Sequence, residues 1–382
     1  MKNKIIVLGT RGIPNVQGGV ETHCQRLYPA ILQRAALNIC VLARAPYVSF
    51  RRGAYRGVQI RALWAPRRRA LEAIVHSLLA AGYCRLHGAD LVHVHAIGPG
   101  LVVPLLRLMG LKVVFTHHGA DYQRQKWGWL ARRMLMLGER LAVRYANQVI
   151  VISAGIEALV RQRYGRGDAH LIPNGVCAPA PLPSQIARDT LATYGLQAGR
   201  YLVAVGRFVE EKGLHDLIDA YRLSGVTLPL VLVGDADHPD AYSRRLKRLA
   251  HQTPNVVLTG FLRGEPLQAV FSQAALFVMP SYHEGLPIAL LEAMSYSLPA
   301  LVSDIPANQE VGLSPDAYFP RGNVAALAAA LRERAALRER AALRERAALP
   351  REDYRSLLTR YDWQQIADQT LRVYHQANHS IG

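Results

Sequence analysis

Two carboxylates set eight residues apart, Glu284 and Glu292, frame the stretch Ser281-Tyr282-His283-Glu284-Gly285-Leu286-Pro287 and the apolar residues that follow it. The run Ala275-Leu276-Phe277-Val278-Met279-Pro280 before it reads as a buried parallel strand. Pro287 then suits a first helical turn, where the N–H it lacks has no intrahelical partner anyway. Strand, loop and helix therefore follow in order. Glu284 falls in the loop and Glu292 about one turn into the helix. The amides of Gly285 and Leu286 fall at the helix N-terminus, where an anion is favoured. Two acids beside an anion site repel a bare phosphate, so they suit a ligand that carries hydroxyls on both sides of its phosphates, and a nucleotide-sugar is such a ligand.

Other residues fit the same chemistry. Gly206-Arg207-Phe208-Val209-Glu210-Glu211-Lys212-Gly213 follows a second apolar run, Tyr201–Gly206, so Arg207 and Lys212 can converge on a diphosphate at a strand exit. Cations fixed there stabilise the charge that a departing diphosphate gains, which favours the transition state over the ground state. Near the start, Gly9-Thr10-Arg11-Gly12-Ile13-Pro14 leads to Gly18-Gly19 before a helix, and paired glycines let backbone approach a ligand closely. Thr116-His117-His118-Gly119-Ala120-Asp121-Tyr122-Gln123-Arg124 ends another strand, at the edge where open α/β sheets place ligands.

The Glu284-to-Glu292 spacing in its Pro-Ser…Glu-Gly-Leu-Pro setting resembles the signature of the retaining glycosyltransferases of family 4. That resemblance runs from Lys4 to about Tyr374 and implies the GT-B architecture: α/β, two Rossmann-like domains with parallel sheets facing across a cleft, and a C-terminal helix crossing back to the first domain. It implies that Glu284 binds donor-sugar hydroxyls, Glu292 the ribose, and Arg207 with Lys212 the donor phosphates. Gly18 and Gly19 match the glycine loop that closes over those phosphates, and Gly285 and Leu286 match the amides beside them. Phe261 and Leu262 fall where the base is held. His118 matches a His-Gly-x-Asp element beside the reacting sugar, with Asp121 and Arg124 on the acceptor side. His118, Glu284, Arg207 and Lys212 are thus the expected catalytic set. The Gly-Thr-Arg-Gly-Ile-Pro run is similar to a subset of bacterial polysaccharide transferases. The activity implied is transfer of a sugar from a nucleoside-diphosphate donor to a saccharide or a polyprenyl-diphosphate-linked saccharide in cell-surface polysaccharide synthesis. A nucleotide-sugar 2-epimerase of the same fold is the rival enzyme; the four-residue set of two cations and two acids speaks against it.

These residues need elements to position them. Apolar runs at Ile5–Gly9, Asn38–Ala43, Val58–Leu63, Asp90–His95, Leu111–His117 and Gln148–Ser153 alternate with helical patterns, which argues a parallel sheet covered on both faces. The spacing of Leu71, Ile74, Val75, Leu78 and Leu79 predicts one buried helix stripe. Pro173-Asn174-Gly175 and the prolines at 179, 181 and 183 read as a stiff connector. The rhythm restarts at Tyr201–Gly206, Leu228–Gly234, Asn255–Gly260, Leu276–Pro280 and Ala300–Ser303. The expected domains are therefore 1–180 and 181–350, with 351–382 as a returning tail. In that tail Asp362 and Gln365 resemble a capping box, and Trp363, Ile366, Ala367, Thr370, Leu371 and Tyr374 form a stripe. Arg-Glu-Arg-Ala-Ala-Leu repeats in tandem from Arg332 to Leu349. A six-residue period turns successive leucines to different faces, so it reads as a solvated helix whose removal preserves activity.

Composition narrows the partners. Residues 1–180 hold 25 Lys and Arg against 7 Asp and Glu, while residues 181–382 hold 21 of each. The whole formal charge of +18 thus sits in the first half, implying an anionic partner for that half. Arg51, Arg52, Arg56, Arg61, Arg67, Arg68 and Arg69 crowd one stretch, and Trp127, Trp129, Arg132, Arg133 and Arg140 mix aromatics with cations as interfacial anchors do. Peripheral docking on the inner face of the plasma membrane of an otherwise cytoplasmic protein is the expectation. A non-catalytic nucleic-acid binder is the other reading of the charge; the balanced second half does not need it. No segment approaches a membrane span in length, the first apolar run reads as a strand rather than a signal peptide, and the four cysteines lack paired spacing. Neither a Gly-x-Gly-x-x-Gly fingerprint nor an acid after the second strand supports dinucleotide binding. His93-x-His95 with His117, and Asp235-x-Asp237, imitate metal sites, but no completing ligand adjoins the first and the second falls in a nucleotide-side loop of the GT-B type. No metal and no cofactor are expected.

Overall fold

The computed structural model describes residues 4–16, 18–67, 69–120, 122, 128–236, 239–344 and 352–379, with side chains of 69–70 and 338–344 undescribed. Asp121, Arg124, Trp127, Arg68 and Asp237 lie outside the described residues. The chain divides into two compact units, residues 1–175 with 360–382, and residues 176–359. The first break comes at Gly175, and residues 351–359 belong to the second unit, so only the final helix and its cap return.

In the first unit the strands are β1 (Lys4–Leu8), β2 (Asn38–Arg44), β3 (Arg52–Tyr55), β4 (Val58–Leu63), β5 (Leu91–His95), β6 (Lys112–His117), β7 (Gln148–Val151) and β8 (His170–Leu171). Among the described residues they form one sheet in the order β3-β4-β2-β1-β5-β6-β7-β8. The six expected strands are all present. The sheet is not wholly parallel, because the arginine-rich stretch folds into an antiparallel edge hairpin, β3 on β4, with Arg56 at its turn in the left-handed region. Charged residues suit such an edge, where unpaired strands invite association.

The helices are α1 (Gly19–Leu32), α2 (Arg69–Leu86), α3 (Val103–Leu108), α4 (Trp129–Tyr145) and α5 (Ala154–Tyr164). Right-handed crossovers put α2 to α5 on one face of this sheet and α1 on the other. The C-terminal helix, Trp363–His379, lies against α1 and β6. Its Asp362 carboxylate accepts from the amides of Gln364 at 2.8 Å and Gln365 at 3.0 Å, as a cap requires. It buries Trp363, Ile366, Ala367, Thr370, Val373, Tyr374 and Ala377. Leu371 is only partly buried.

One expected face is reversed. Helix α2 turns Leu71, Leu78 and Leu79 outward and buries Glu72, His76, Ser77, Ala80, Ala81 and Cys84 instead. Small side chains let it lie close to the sheet, and buried Glu72 is satisfied by Arg44 Nη1 at 2.8 Å and the Tyr47 hydroxyl at 3.0 Å.

The second unit contains α6 (Ser184–Thr193), β9 (Leu202–Val205), α7 (Leu214–Ser224), β10 (Leu230–Val233), α8 (Ala241–His251), β11 (Val256–Gly260), α9 (Gly264–Ser272), β12 (Leu276–Met279), α10 (Ile288–Ser295), β13 (Ala300–Ser303), α11 (Pro306–Gln309), β14 (Tyr318–Phe319), α12 (Val324–Arg344) and α13 (Arg355–Leu358). The Trp363–His379 helix is α14. The sheet order is β11-β10-β9-β12-β13-β14, with each pair parallel. The five expected strands are joined by β14, too short to stand out in the sequence.

The repeat segment departs from its solvated reading. Arg332 donates to the carbonyls of Leu223 and Ser224 at 3.1 Å each, Arg334 reaches Asp316 at 2.6 Å, and Leu331 and Ala335 belong to the core. The first hexad is therefore docked, and deleting Arg332–Leu349 removes packed structure. Leu337 is exposed. Beyond it the repeat side chains lie outside the described residues.

Candidate functional site

Each sheet reverses its strand order once, and ligands of open α/β sheets bind at the carboxyl ends of the strands at such a point. In the second unit the reversal lies between β9 and β12. Their loops carry Arg207, Lys212 and Glu284. The loops touch: the Tyr282 amide donates to the Glu211 carbonyl at 2.8 Å. Gly213, in the left-handed region, lies so near that a Cβ there would sit 2.2 Å from the Pro280 oxygen.

Lys212 Nζ stands 2.6 Å from Glu284 Oε1, and Ser281 Oγ donates to the same oxygen at 2.7 Å. Both side chains are mostly buried, 20% and 10% exposed. Both contacts fall on Oε1, so Oε2 remains able to accept from a ligand hydroxyl. Arg207 lies 3.7 Å from Glu211 on the same loop. Helix α10 begins one residue later than expected, with Pro287 as its cap, which keeps half-buried Glu292 in the second turn. Among the described residues, the Gly285 and Leu286 amides donate to no group of the chain.

The Phe261–Leu262 segment leaves β11 on the same sheet edge, with Phe261 43% exposed and the Arg263 guanidinium 4.6 Å from its ring centre. Asp235 is engaged by Lys247 at 2.8 Å. Its partner in the Asp-x-Asp pattern is outside the described residues.

In the first unit the reversal lies between β1 and β5. Gly9 has φ 102°, and a Cβ there would be 2.0 Å from the His95 oxygen. Buried Glu21, in the first turn of α1, accepts from the Arg11 amide at 2.9 Å and from Arg11 Nε at 3.3 Å. A Cβ on Gly18, at φ 143°, would be 2.0 Å from the Glu21 carboxylate. Gly19 is the first residue of α1. The glycine loop is thus held from within by an ion pair that the sequence reading did not assign.

His118 does not stand alone at its strand end. Its Nε2 is 2.8 Å from His95 Nδ1, His95 Nε2 is 2.5 Å from the Tyr28 hydroxyl, and that hydroxyl is 3.1 Å from His93 Nδ1. His93 continues to Tyr374 at 2.7 Å and to Thr116 at 2.7 Å. His23 meets His118 edge-on at 4.9 Å, and its Nδ1 donates to Asn174 Oδ1 at 2.6 Å. Asn174 had read as part of a connector and is instead buried in this cluster. Burial lowers His23 to about 4 although the Asn174 bond opposes it, and burial drives His93, His95 and His118 well below the usual histidine range. The rings are neutral at pH 7, so each offers one N–H donor and one acceptor nitrogen. His23 offered a signal that went unused: an ionisable residue on the apolar face of a helix just after paired glycines.

His117 belongs elsewhere. Its Nε2 bonds buried Glu139 at 2.7 Å. Burial pushes the Glu139 carboxyl up, but His117, Tyr164 and Arg163 outweigh it and leave the group below its ordinary value. Metal ligation by His93, His95 and His117 is therefore not the grouping the fold makes. His23, His95 and His118 do bring ligand atoms within 4.8 Å of one another. A hydrogen bond at 2.8 Å spans His95 Nδ1 and His118 Nε2, which places a proton on one of those two nitrogens.

Residues 17–178 match the family described as Glycosyltransferase Family 4, and residues 199–336 match Glycosyl transferases group 1. The chain is 30% identical over 303 residues to glycogen synthase of Mycobacterium tuberculosis, spanning 75% of this chain and 68% of that one. It is 28% identical over 343 residues to 2-deoxystreptamine N-acetyl-D-glucosaminyltransferase of Streptomyces fradiae, 82% of this chain and 81% of the relative. The crystal structure of Anabaena HepE in complex with UDP and glucose superposes with a TM-score of 0.76 at 16% identity, covering 98% of this chain and all of that one. Fold and site define a glycosyltransferase of the GT-B class. The chain belongs to glycosyltransferase family 4.

Proposed function

We propose that the protein is a retaining transferase that moves a sugar from a nucleoside-diphosphate-sugar to a hydroxyl of a saccharide or lipid-linked saccharide in cell-surface polysaccharide synthesis. The observation that carries the donor assignment is the Lys212–Glu284 contact at the β9/β12 reversal, on the two loops that also carry Arg207 and the Gly285–Leu286 amides. A diphosphate takes the ammonium and the amides, and Glu284, released from Lys212, accepts from sugar hydroxyls. As the sugar–phosphate bond breaks, the leaving diphosphate gains charge next to Arg207 and Lys212. Glu284 is assigned to sugar binding rather than nucleophilic attack, and the incoming hydroxyl attacks from the face the diphosphate leaves. Glu292 takes the ribose, and Phe261 with Leu262 takes the base. His118 is assigned to the reacting sugar, Gly18 and Gly19 to the donor phosphates, and Asp121 and Arg124 to the acceptor. The complex of HepE with UDP and glucose supports a nucleotide-sugar as the donor.

Transfer is proposed to need no metal and no cofactor; loss of turnover on chelation that magnesium or manganese restores overturns this. A thermal-shift panel of nucleoside diphosphates and their sugars identifies the donor. With that donor, Glu284→Ala is expected to lower turnover while leaving nucleoside diphosphate binding largely intact. Equal loss of both refutes the assignment.

A further inference from the structure

The helical layer formed by α2, α3 and α4 is turned inside out. Helix α2 leaves Leu71, Leu78, Leu79 and Leu86 exposed, at 47%, 51%, 45% and 84%. Leu108 ends α3 at 86% exposure, and Trp129, Leu130 and Leu137 on α4 are 72%, 65% and 48% exposed. Scattered exposed leucines are ordinary, but eight large apolar side chains exposed on three neighbouring helices mark an interaction surface. Close packing beneath explains the inversion: a Cβ on Gly138 of α4 would be 2.2 Å from the Ile97 oxygen, so the helix presses its small side inward and its large side out.

Cations border this layer. Arg133, Arg140 and Arg144 on α4 join Arg163 on α5 around a cavity of about 490 Å³ floored by Met136 and Leu137. Arg140 and Arg144 are a like-charged i,i+4 pair, which an isolated helix disfavours. Arg163 is held by Glu139 at 3.5 Å and by the Tyr122 hydroxyl at 2.9 Å. Among the described residues no carboxylate pairs with Arg133, Arg140 or Arg144. On α2, α3 and α4 the acids among the described residues are Glu72 and Glu139, both buried and already engaged. An apolar face whose helices show no exposed carboxylate among the described residues, edged by unneutralised guanidinium groups in a unit that carries the chain's whole positive charge, complements an anionic lipid surface.

We propose that this layer rests on an anionic membrane leaflet, with the exposed leucines and Trp129 in the acyl boundary and the arginine cavity holding a lipid phosphate headgroup. Trp129 and Arg133 open α4 at the sheet edge that carries His118, so a lipid phosphate bound there presents whatever it bears toward that edge. The inference deepens the lipid-linked acceptor reading above and locates its docking surface on α2 and α4 rather than on the arginine-rich hairpin.

The test is flotation of the full chain with phosphatidylcholine vesicles, with and without phosphatidylglycerol. Binding is expected only with phosphatidylglycerol. Arg140→Ala with Arg144→Ala should weaken it roughly thirty-fold, at about one decade or less per cation. Leu78→Glu with Leu79→Glu should abolish it, while Arg52→Ala with Arg56→Ala on the hairpin should change it little. Nucleoside diphosphate thermal shifts should be unchanged in all three variants, which keeps a membrane failure distinct from a failure of the donor site. Indifference of the wild-type chain to phosphatidylglycerol overturns the proposal, as does unaltered flotation of the leucine or α4 arginine variants. A dimer in sedimentation that the leucine variant splits, without any effect on flotation, shows that a second copy covers the face instead.

Discussion

Replacing Lys212 with Met keeps an unbranched stem as far as Cε and removes the ammonium, so the loss falls on the 2.6 Å contact with Glu284 and on any diphosphate beside it. Glu284 retains the Ser281 hydroxyl at 2.7 Å, which keeps its loop anchored in the variant. In the free enzyme the ammonium is engaged with Glu284. In the reacting complex it faces oxygens whose charge grows as the sugar leaves. A charge-assisted hydrogen bond contributes about 1.5–3 kcal/mol. If it is realised mainly in the transition state, its loss lowers kcat by roughly 10- to 150-fold with little change in KM. Initial rates of nucleoside diphosphate release measure this, with circular dichroism to confirm folding. A second arm uses Glu284→Gln, which keeps the loop's shape. Two results refute the reasoning: a KM that rises while kcat stays fixed, which marks uniform binding, or rates equal to wild type.

Three further outcomes are expected. His23 and His76, both depressed to about 4 chiefly by burial, are neutral when folded and have an ordinary value of 6.5 when unfolded. Between those values the unfolded chain binds more protons, so stability is complete above pH 6.5 and falls as pH drops, by up to about 3 kcal/mol for His23 alone; a melting temperature that stays flat from pH 7 to pH 5 contradicts this. Tyr28→Phe removes the hydroxyl between His95 and His93 and should lower stability by about 1–3 kcal/mol. If the network orients His118, the pH profile of kcat also moves; a change in melting temperature alone makes Tyr28 purely structural. Arg332→Ala with Arg334→Ala should destabilise the second unit by about 1–3 kcal/mol through lost bonds to Leu223, Ser224 and Asp316, without altering turnover per folded molecule. Unchanged melting would return the first hexad to the solvated class.

Strand positions were legible because buried parallel strands are continuous apolar runs, and all eleven expected ones are present. The missing three, β3, β8 and β14, are short edge elements whose pairing rather than composition creates them. Helix faces were less legible. The period of α2 was read correctly and its direction was not, because periodicity locates an apolar stripe without saying whether sheet or solvent meets it. The first repeat failed for a related reason: Arg332 and Arg334 anchor the helix through carbonyls that no sequence pattern displays. In the site, Lys212 and Glu284 were expected to meet and do so. The histidine network was not foreseen, since Tyr28, His95, Asn174 and Tyr374 are scattered along the chain and converge only through strand order.

The pairing of Lys212 with Glu284 also answers why an anion site should contain acids. A bare diphosphate that draws the ammonium away leaves Glu284, only 10% exposed, beside new negative charge with Ser281 as its one remaining donor. A nucleotide-sugar brings hydroxyls to the same carboxylate, and Oε2 is already unengaged to receive them. In the proposed reading, sugar hydroxyls take the place of the ammonium at Glu284 when the diphosphate engages Lys212. The loops can bring the two side chains together only because Gly213 lies against the Pro280 oxygen and Gly234 against the Gly206 oxygen, where a Cβ would sit 2.2 Å and 1.9 Å away. Both glycines have positive φ, so each position excludes other residues by backbone and by space at once. These two side-chain-free contacts thus hold together the loops on which the proposed donor-binding groups stand.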